Sequence, residues 1–274
     1  MRKIIVITGA GGVLCSAFAK HLAAAGNAVA LLDINEAAVK AVAEEINKAG
    51  FTARAYPCNV LEKESLTAAR EKIRAELGAC DILINGAGGN NPRCTTAHEE
   101  YAKGDETEKE LLTFFNIDPA GFDFVFDLNI KSVLLPSQVF MADMLGREGC
   151  CVLNISSMNA YRPLTKIPAY SAAKAAVSNF TQWLAVHFAK EGIRVNAIAP
   201  GFFVTNQNRA LLFTPDGQPT ARTGKILAAT PMDRFGKPEE LLGAVDFLLD
   251  EEKAGFVTGV TLPVDGGFSA YSGV

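Results

Sequence analysis

Short, nearly continuous apolar runs recur along the chain at Lys3–Ile7, Ala28–Asp33, Ala53–Tyr56, Asp81–Asn85, Cys150–Ile155, Ile193–Ile198 and Thr258–Pro263. Runs of that length without polar alternation are the pattern of strands buried on both faces. Stretches of helical length separate most of them. Val13–Ala25 is one, and Glu36–Lys48 places Val39, Val42, Ala43 and Ile46 at i, i+3, i+4 and i+7 with Gly50 as its stop. Strands alternating with helices predict an α/β fold, a doubly wound parallel sheet of about seven strands with helices on both faces. No repeat, linker or shift in composition divides residues 1–274, so one domain is expected.

Two segments break the rhythm. Residues 89–120 form a long polar stretch after the Asp81–Asn85 run, with a charged core at Glu99–Glu110. Residues 202–237 follow the Ile193–Ile198 run and carry Gly, Pro, Asn and Thr throughout. Long connections of this kind are often binding loops, and in open α/β sheets ligands lie beyond the carboxyl ends of the strands, where both segments begin.

Composition narrows the partners. Hydrophobic residues make up 49% of the chain and charged residues 20%, which excludes a disordered chain. With Lys+Arg 26 against Asp+Glu 30, a formal charge of -4, nucleic acid is not the expected partner. Ile4–Ala19, the longest uncharged stretch, is interrupted by glycines and too short for a membrane span. The six cysteines form no CxxC pair, which reads as reduced thiols and a cytoplasmic protein. The three histidines, His21, His98 and His187, form no HExxH, so no metal is expected, and no GxSxG marks a serine hydrolase.

Thr8-Gly9-Ala10-Gly11-Gly12 joins the first strand to a helix, and Asp33 ends the second strand 24 residues after Gly9. Glycines there permit a tight turn and let a pyrophosphate approach the helix N-terminus, and an acid at that offset accepts from ribose hydroxyls. A bare turn, and for Asp33 a cap on the helix at Glu36, are the simpler alternatives. A 2′-phosphate beside Asp33 would meet like charge, and Ile34 and Asn35 supply no cation, so NAD(H) is favoured over NADP(H).

A second constellation lies downstream. Asn154-Ile155-Ser156-Ser157 closes a strand, and Tyr170-Ser171-Ala172-Ala173-Lys174 begins thirteen residues after Ser157. Tyr170 and Lys174, at i and i+4, share a helix face. A phenol with pKa of about 10 is a weak base at neutral pH, and a nearby ammonium stabilises the phenolate. Taken alone, the same spacing also fits an ordinary solvated helix face.

Together these pieces resemble the short-chain dehydrogenase/reductase family, whose members are built on one Rossmann domain. The matching elements are the TGAGGVL turn, Asp33, Asn85-Gly86-Ala87-Gly88, Asn129, Ser157, YSAAK from Tyr170, Pro200-Gly201 and the PVDGG tail. The resemblance implies hydride transfer between a nicotinamide and a carbonyl or secondary alcohol. Tyr170 would be the proton donor or acceptor, with Lys174 tuning it and binding the nicotinamide ribose. Ser157 would bond the substrate oxygen, and Asn129 would hold a relay water. The coenzyme would lie along Gly9, Gly11, Gly12, Val13, Leu14, Asp33, Asn59, Val60, Asn85, Ala87, Gly88, Pro200, Gly201, Phe203 and Thr205, with Asn85 close to the adenosine ribose. Four positions depart from the common pattern: Val13 and Cys15 stand where glycines are usual, Asn59 replaces an acid, and Gly86 replaces an asparagine.

The two long loops would choose the substrate. Asn90, Asn91, Arg93, Met158, Asn159, Arg162, Lys166, Asn206, Asn208 and Arg209 are candidates, since amides and cations suit a polyhydroxylated acid; ordinary loop solvation is the alternative for each. Within the family, the run from Ser156 to Phe203 and the ending VDGGFSAYSGV resemble the D-mannonate oxidoreductase (fructuronate reductase) branch. That resemblance implies NADH-linked interconversion of D-fructuronate and D-mannonate. A gluconate 5-dehydrogenase-like or other polyol dehydrogenase, and a catalytically silent dinucleotide sensor or assembly protein, are the competing readings. Small residues with the Tyr170–Lys190 helix (Ala169, Ala172, Ala173, Ala175, Ala176) permit close helix approach, and family members are commonly dimers or tetramers, so a homo-oligomer is expected.

Overall fold

The computed structural model describes residues 2–205 and 208–273. Seven parallel strands form its sheet: β1 (Ile4–Thr8), β2 (Ala28–Asp33), β3 (Thr52–Pro57), β4 (Ile82–Asn85), β5 (Cys151–Ile155), β6 (Arg194–Pro200) and β7 (Thr261–Val264). Their spatial order is β3-β2-β1-β4-β5-β6-β7. The main helices are α1 (Val13–Ala24), α2 (Glu36–Lys48), α3 (Lys63–Glu76), α4 (Pro119–Phe126), α5 (Ser132–Phe140) and α6 (Pro168–Phe188). Four more follow: α7 (Arg209–Leu212), α8 (Ala221–Ala228), α9 (Leu242–Leu249) and α10 (Glu251–Ala254).

Period-two alternation in each strand divides the apolar side chains between two layers. Ile5, Ile7, Val29, Leu31, Ile84 and Leu153 pack with Phe18 of α1, Val39 of α2 and Val245 of α9. Ile4, Val6, Leu32, Leu83 and Val152 pack on the other face with Leu66 and Ile73 of α3, Phe140 of α5 and Leu184 of α6. Strands β1, β4 and β5 are buried along their whole length, which explains their lack of polar alternation.

The sheet reverses its winding between β1 and β4, which are bonded neighbours. Crevices at such a reversal, beyond the strand carboxyl ends, are where open α/β sheets bind ligands.

Three expectations need adjustment. Strand β7 starts at Thr261 and not Thr258, because the Val195 N–H is taken by Thr258 Oγ1 at 3.1 Å and ladder pairing opens at Ala197–Thr261. The 202–237 connection is not all loop, since it contains α7 and α8, the latter capped by Thr220 accepting from Thr223 N. The helix expected over Tyr170–Lys190 runs Pro168–Phe188, with Pro168 in the first turn, where a proline lacking an N–H costs nothing. The 89–120 stretch does stay irregular, with short 3₁₀ turns at Pro92–Cys94 and Phe114–Asn116, until Asp118 caps α4. Among the described residues no helix is long and apolar enough to cross a membrane.

Candidate active site

A cleft of about 690 Å³ opens at the reversal point, lined by the β1–α1 turn, the ends of β4, β5 and β6, and the face of α6 carrying Tyr170 and Lys174. Its volume is that of a small-molecule or cofactor site.

The β1–α1 turn is built by short-range steric demands. Gly9 has φ +66°, and a Cβ there would sit 2.8 Å from Ala87 N, so two strand ends meet at van der Waals distance. Thr8 Oγ1 accepts from Gly86 N at 3.0 Å and Ala87 N at 3.3 Å, fastening the same two ends. Helix α1 starts at Val13 without a side-chain cap and without an acid in its first turn. Its first N–H groups therefore have no side-chain cap within the helix, and Gly12, Val13 and Leu14 line the cleft, which suits a pyrophosphate.

Asp33 reaches the cleft and also organises it. Its Oδ2 accepts from Gly11 N at 2.9 Å and its Oδ1 from Asn35 N at 2.8 Å. The helix cap that Asp33 alone could have been is supplied by Asn35, whose Oδ1 accepts from Ala38 N at 3.1 Å. Apolar Ile34, Val60 and Leu61 line the cleft together with Asp33 and Asn59. This donor and acceptor set fits a nicotinamide dinucleotide.

At the other end, hydrogen bonds register α6 against β5. Ser156 Oγ donates to Lys174 O at 3.1 Å and contacts Ser178 Oγ at 2.7 Å. Ser157 caps the 3₁₀ turn Met158–Ala160, accepting from Asn159 N at 3.2 Å. Asn129 sits fully buried in a single π turn, Asp127–Lys131, between α4 and α5. Its Nδ2 donates to Gly89 O at 2.8 Å and Val125 O at 2.7 Å, and its Oδ1 accepts from Gly89 N at 3.3 Å. Local π turns are frequent at functional sites.

Lys174 Nζ donates to Ile155 O at 2.8 Å and lies 5.6 Å from the Tyr170 ring centroid. Burial pushes the Lys174 ammonium down to about 8 and the Tyr170 phenol up to about 12, with the Ser157 hydroxyl opposing the latter shift. The expected lowering of Tyr170 by Lys174 is thus reversed. Desolvation dominates, and the ammonium is directed at a backbone carbonyl.

Of the residues expected to bind coenzyme, Gly9, Gly12, Val13, Leu14, Asp33, Asn59, Val60, Ala87, Gly88, Tyr170, Lys174, Pro200, Gly201, Phe203 and Thr205 line the cleft, and so does Ser157. Asn85 does not. It is 1% exposed and its Nδ2 donates to Asn154 Oδ1 at 2.9 Å and Ser137 Oγ at 3.2 Å, so its side chain ties β4 to β5 and α5 and does not line the cleft. Gly11 also stands apart, its backbone spent on Asp33. Asn59 Oδ1 accepts from Leu61 N at 3.1 Å and its Nδ2 donates to Glu62, so the amide is largely engaged within its own turn.

Most expected substrate contacts are already occupied. Arg93 is paired with Asp118, Asn91 caps the Pro92 turn, and Asn90 Nδ2 donates to Thr95 Oγ1. Arg162 donates to Tyr271 O at 2.5 Å, and Arg209 stacks over Phe213. Asn208 does line the cleft, but its side chain bonds Thr205 N and Phe203 O. Met158 and Asn159 are buried, and Asn159 Oδ1 has no partner. Asn206 lies outside the described residues. Sequence reasoning passed over Phe124 and Leu128, which line the cleft; their spacing, four apart next to Asn129, was the available signal.

Residues 3–214 match the family model for short chain dehydrogenase. This chain is a short-chain dehydrogenase. A crystal structure of a Haemophilus influenzae protein, provisionally described as a D-mannonate oxidoreductase and carrying bound NAD, is 61% identical to this dehydrogenase. The two superpose with a TM-score of 0.95 over 99% of this chain and 96% of that one. The dehydrogenase is also 53% identical to an uncharacterized oxidoreductase, UxuB, of Bacillus subtilis over 99% of this chain and 96% of the relative. It is 32% identical to 5-keto-D-gluconate 5-reductase of Escherichia coli over 97% of this chain and 94% of that enzyme.

Proposed function

We propose that this dehydrogenase interconverts D-fructuronate and D-mannonate with NAD(H). The observation that carries the reading is the convergence of Ser157, Tyr170 and Lys174 on the cleft that holds the uncapped α1 N-terminus and Asp33. The sugar-acid part is supported by 61% identity to the Haemophilus protein and by the keto-acid chemistry named for the Escherichia coli relative. The intact set of Asn129, Ser157, Tyr170 and Lys174 speaks against a silent sensor.

Bound nicotinamide supplies a hydride to the keto carbon and takes it back from the alcohol. Tyr170, neutral at physiological pH with its phenol pushed up to about 12, is poised to donate a proton to the developing alkoxide. Ser157 bonds the same oxygen and orients it. Lys174, held on Ile155 O, presents positive charge 5.6 Å from the Tyr170 ring and would hold the nicotinamide ribose. Asn129 keeps Gly89 and the π turn in place through its bonds to Gly89 and Val125. Asp33 would hold the adenosine ribose through its hydroxyls, and its charge opposes a 2′-phosphate, which favours NAD(H).

A homo-oligomer, dimer or tetramer, joined through α6, is part of this proposal, supported by the exposure of Trp183 and Val186 at 55% and 80%. Six unpaired, buried cysteines support a reducing, cytoplasmic setting. The test is NADH oxidation with D-fructuronate, D-tagaturonate, 5-keto-D-gluconate and simple ketoses. Fructuronate should give the highest kcat/KM. Preference for 5-ketogluconate moves the enzyme to the gluconate branch, and no turnover of any sugar acid overturns the substrate assignment.

A further inference from the structure

The 89–120 segment reaches Tyr170 through a small apolar cluster of its own. The 3₁₀ turn Pro92–Cys94 buries the Cys94 side chain completely, beside Val125 of α4 and Ala169 of α6. Three partly buried side chains pack against this cluster: Ile117, Phe122 and Tyr170. Tyr170 also lines the cleft, whereas Cys94, Val125 and Ala169 do not. The same side chain is therefore shared between the reaction space and an apolar cluster built by three chain segments.

Several contacts hold Cys94 where it is. A Cβ on Gly121 would stand 2.9 Å from Arg93 Cβ and 3.3 Å from Cys94 Sγ, so α4 and the 3₁₀ turn meet at a distance that only glycine allows. Arg93 pairs with Asp118, the cap of α4. Thr96 N donates to Lys166 O at 2.8 Å, fastening the chain just beyond Cys94 to the turn that enters α6. Val125 has a second connection to the site, since its carbonyl accepts from Asn129 Nδ2 at 2.7 Å.

We propose that Cys94 and Val125 are positioning residues for the reaction, forming the apolar seat that fixes the Tyr170 ring. This rests on Tyr170 as the proton donor proposed above. A reacting side chain must be held to within about 0.5 Å, and packing is what locks its torsions. Lys174 does not supply that restraint, because its Nζ is directed at Ile155 O at 2.8 Å. Small clusters under long loops often do no more than pin the loop. Here the side chain that moves the proton is one wall of the cluster, and the Arg93–Asp118 pair keeps the opposite wall closed.

Cys94→Ala and Val125→Ala each remove apolar atoms from the seat and leave the Val125 carbonyl in place. Each should lower kcat by about tenfold with the best sugar acid, while its KM and the NADH Kd by fluorescence stay within about twofold of wild type. Cys80→Ala removes an equally buried sulphur from the larger layer on the α3 side of the sheet. It should lower the thermal midpoint as the seat variants do and leave kcat unchanged. In a Tyr170→Phe background the losses from Cys94→Ala and Val125→Ala should vanish, because no hydroxyl is left to position. Thermal unfolding checks the fold of each variant, and Val125→Ala decides the matter if Cys94→Ala does not fold. Seat variants with wild-type kcat, NADH binding that falls in step with kcat, or losses that persist in full in Tyr170→Phe overturn the inference. Wild-type turnover in Tyr170→Phe itself overturns instead the proton-donor reading beneath it.

Discussion

The sulphur of Cys15 fills the space a side chain at position 86 would need: a Cβ on Gly86 meets Cys15 Sγ and comes within 2.9 Å of Thr8 O. The two positions where the sequence departs from the resembled pattern, the cysteine on α1 and the glycine after β4, thus touch each other. The volume removed from one strand end is taken up by the neighbouring helix, and the cleft floor stays closed.

Gly86→Asn alone should overpack this contact and cost about 1–3 kcal/mol, lowering the thermal midpoint by several degrees. Adding Cys15→Gly should restore most of the loss, although glycine within α1 itself costs about 1 kcal/mol. The double-mutant cycle by thermal unfolding measures the coupling, which should be of order 1 kcal/mol or more. Additive effects would show that the two positions are independent.

Asp33 carries two tasks, and its variants should separate them. Asp33→Asn keeps oxygen and nitrogen where the carboxylate was but removes the charge, so the preference for NADH over NADPH in kcat/KM should fall about tenfold or more. Asp33→Ala also strips the acceptors of Gly11 N and Asn35 N, each bond contributing roughly 0.5–1.5 kcal/mol, and should weaken both coenzymes and lower the thermal midpoint. Steady-state KM for each coenzyme distinguishes the outcomes.

Strands β1 to β6 and helices α1, α2 and α6 were legible because buried apolar runs and helical periodicity are local signals. The cleft was legible because its glycines, Asp33, Ser157, Tyr170 and Lys174 lie at characteristic spacings. What sequence could not give was the partner of each polar side chain. Asn85 sits beside the cleft glycines in sequence, yet its amide turns inward to Asn154, which in turn donates to Thr181 Oγ1 at 2.9 Å. Arg93 and Arg162 suit a substrate carboxylate by type, but Asp118 and the Tyr271 carbonyl, 25 and 109 residues away, hold them. The reversal of the Tyr170 shift has the same origin, since burial depth and the direction of Lys174 Nζ emerge only on folding.

Burial of Lys174 carries a pH signature. Its ammonium is pushed down to about 8 from 10.5. Between about pH 8 and 10.5 the unfolded chain binds the proton and the folded chain does not, so folded stability rises with pH across that window. Wild type should gain up to about 3 kcal/mol relative to Lys174→Met on going from below pH 8 to above pH 10.5. Denaturant titrations of both proteins across this range test it, and parallel pH profiles would contradict it.

Trp183, stacked between Phe180 at 5.9 Å and His187 at 4.6 Å, presents an aromatic ridge on α6 to solvent in the single chain. If α6 forms the proposed shared face, Trp183→Glu with Val186→Glu should place charge in it and halve the mass or more by light scattering. A wild type that is already monomeric would remove the oligomer from the account.

The most direct test of the whole account is Tyr170→Phe, followed by two readouts on the same preparation. Removing one hydroxyl should lower NADH-dependent fructuronate reduction by about 10²–10⁴-fold, the range for a positioned proton donor, while NADH still binds within about threefold of wild type by fluorescence. A variant that retains most of its turnover, or one that loses coenzyme binding in step with activity, would contradict Tyr170 as the group that moves the proton.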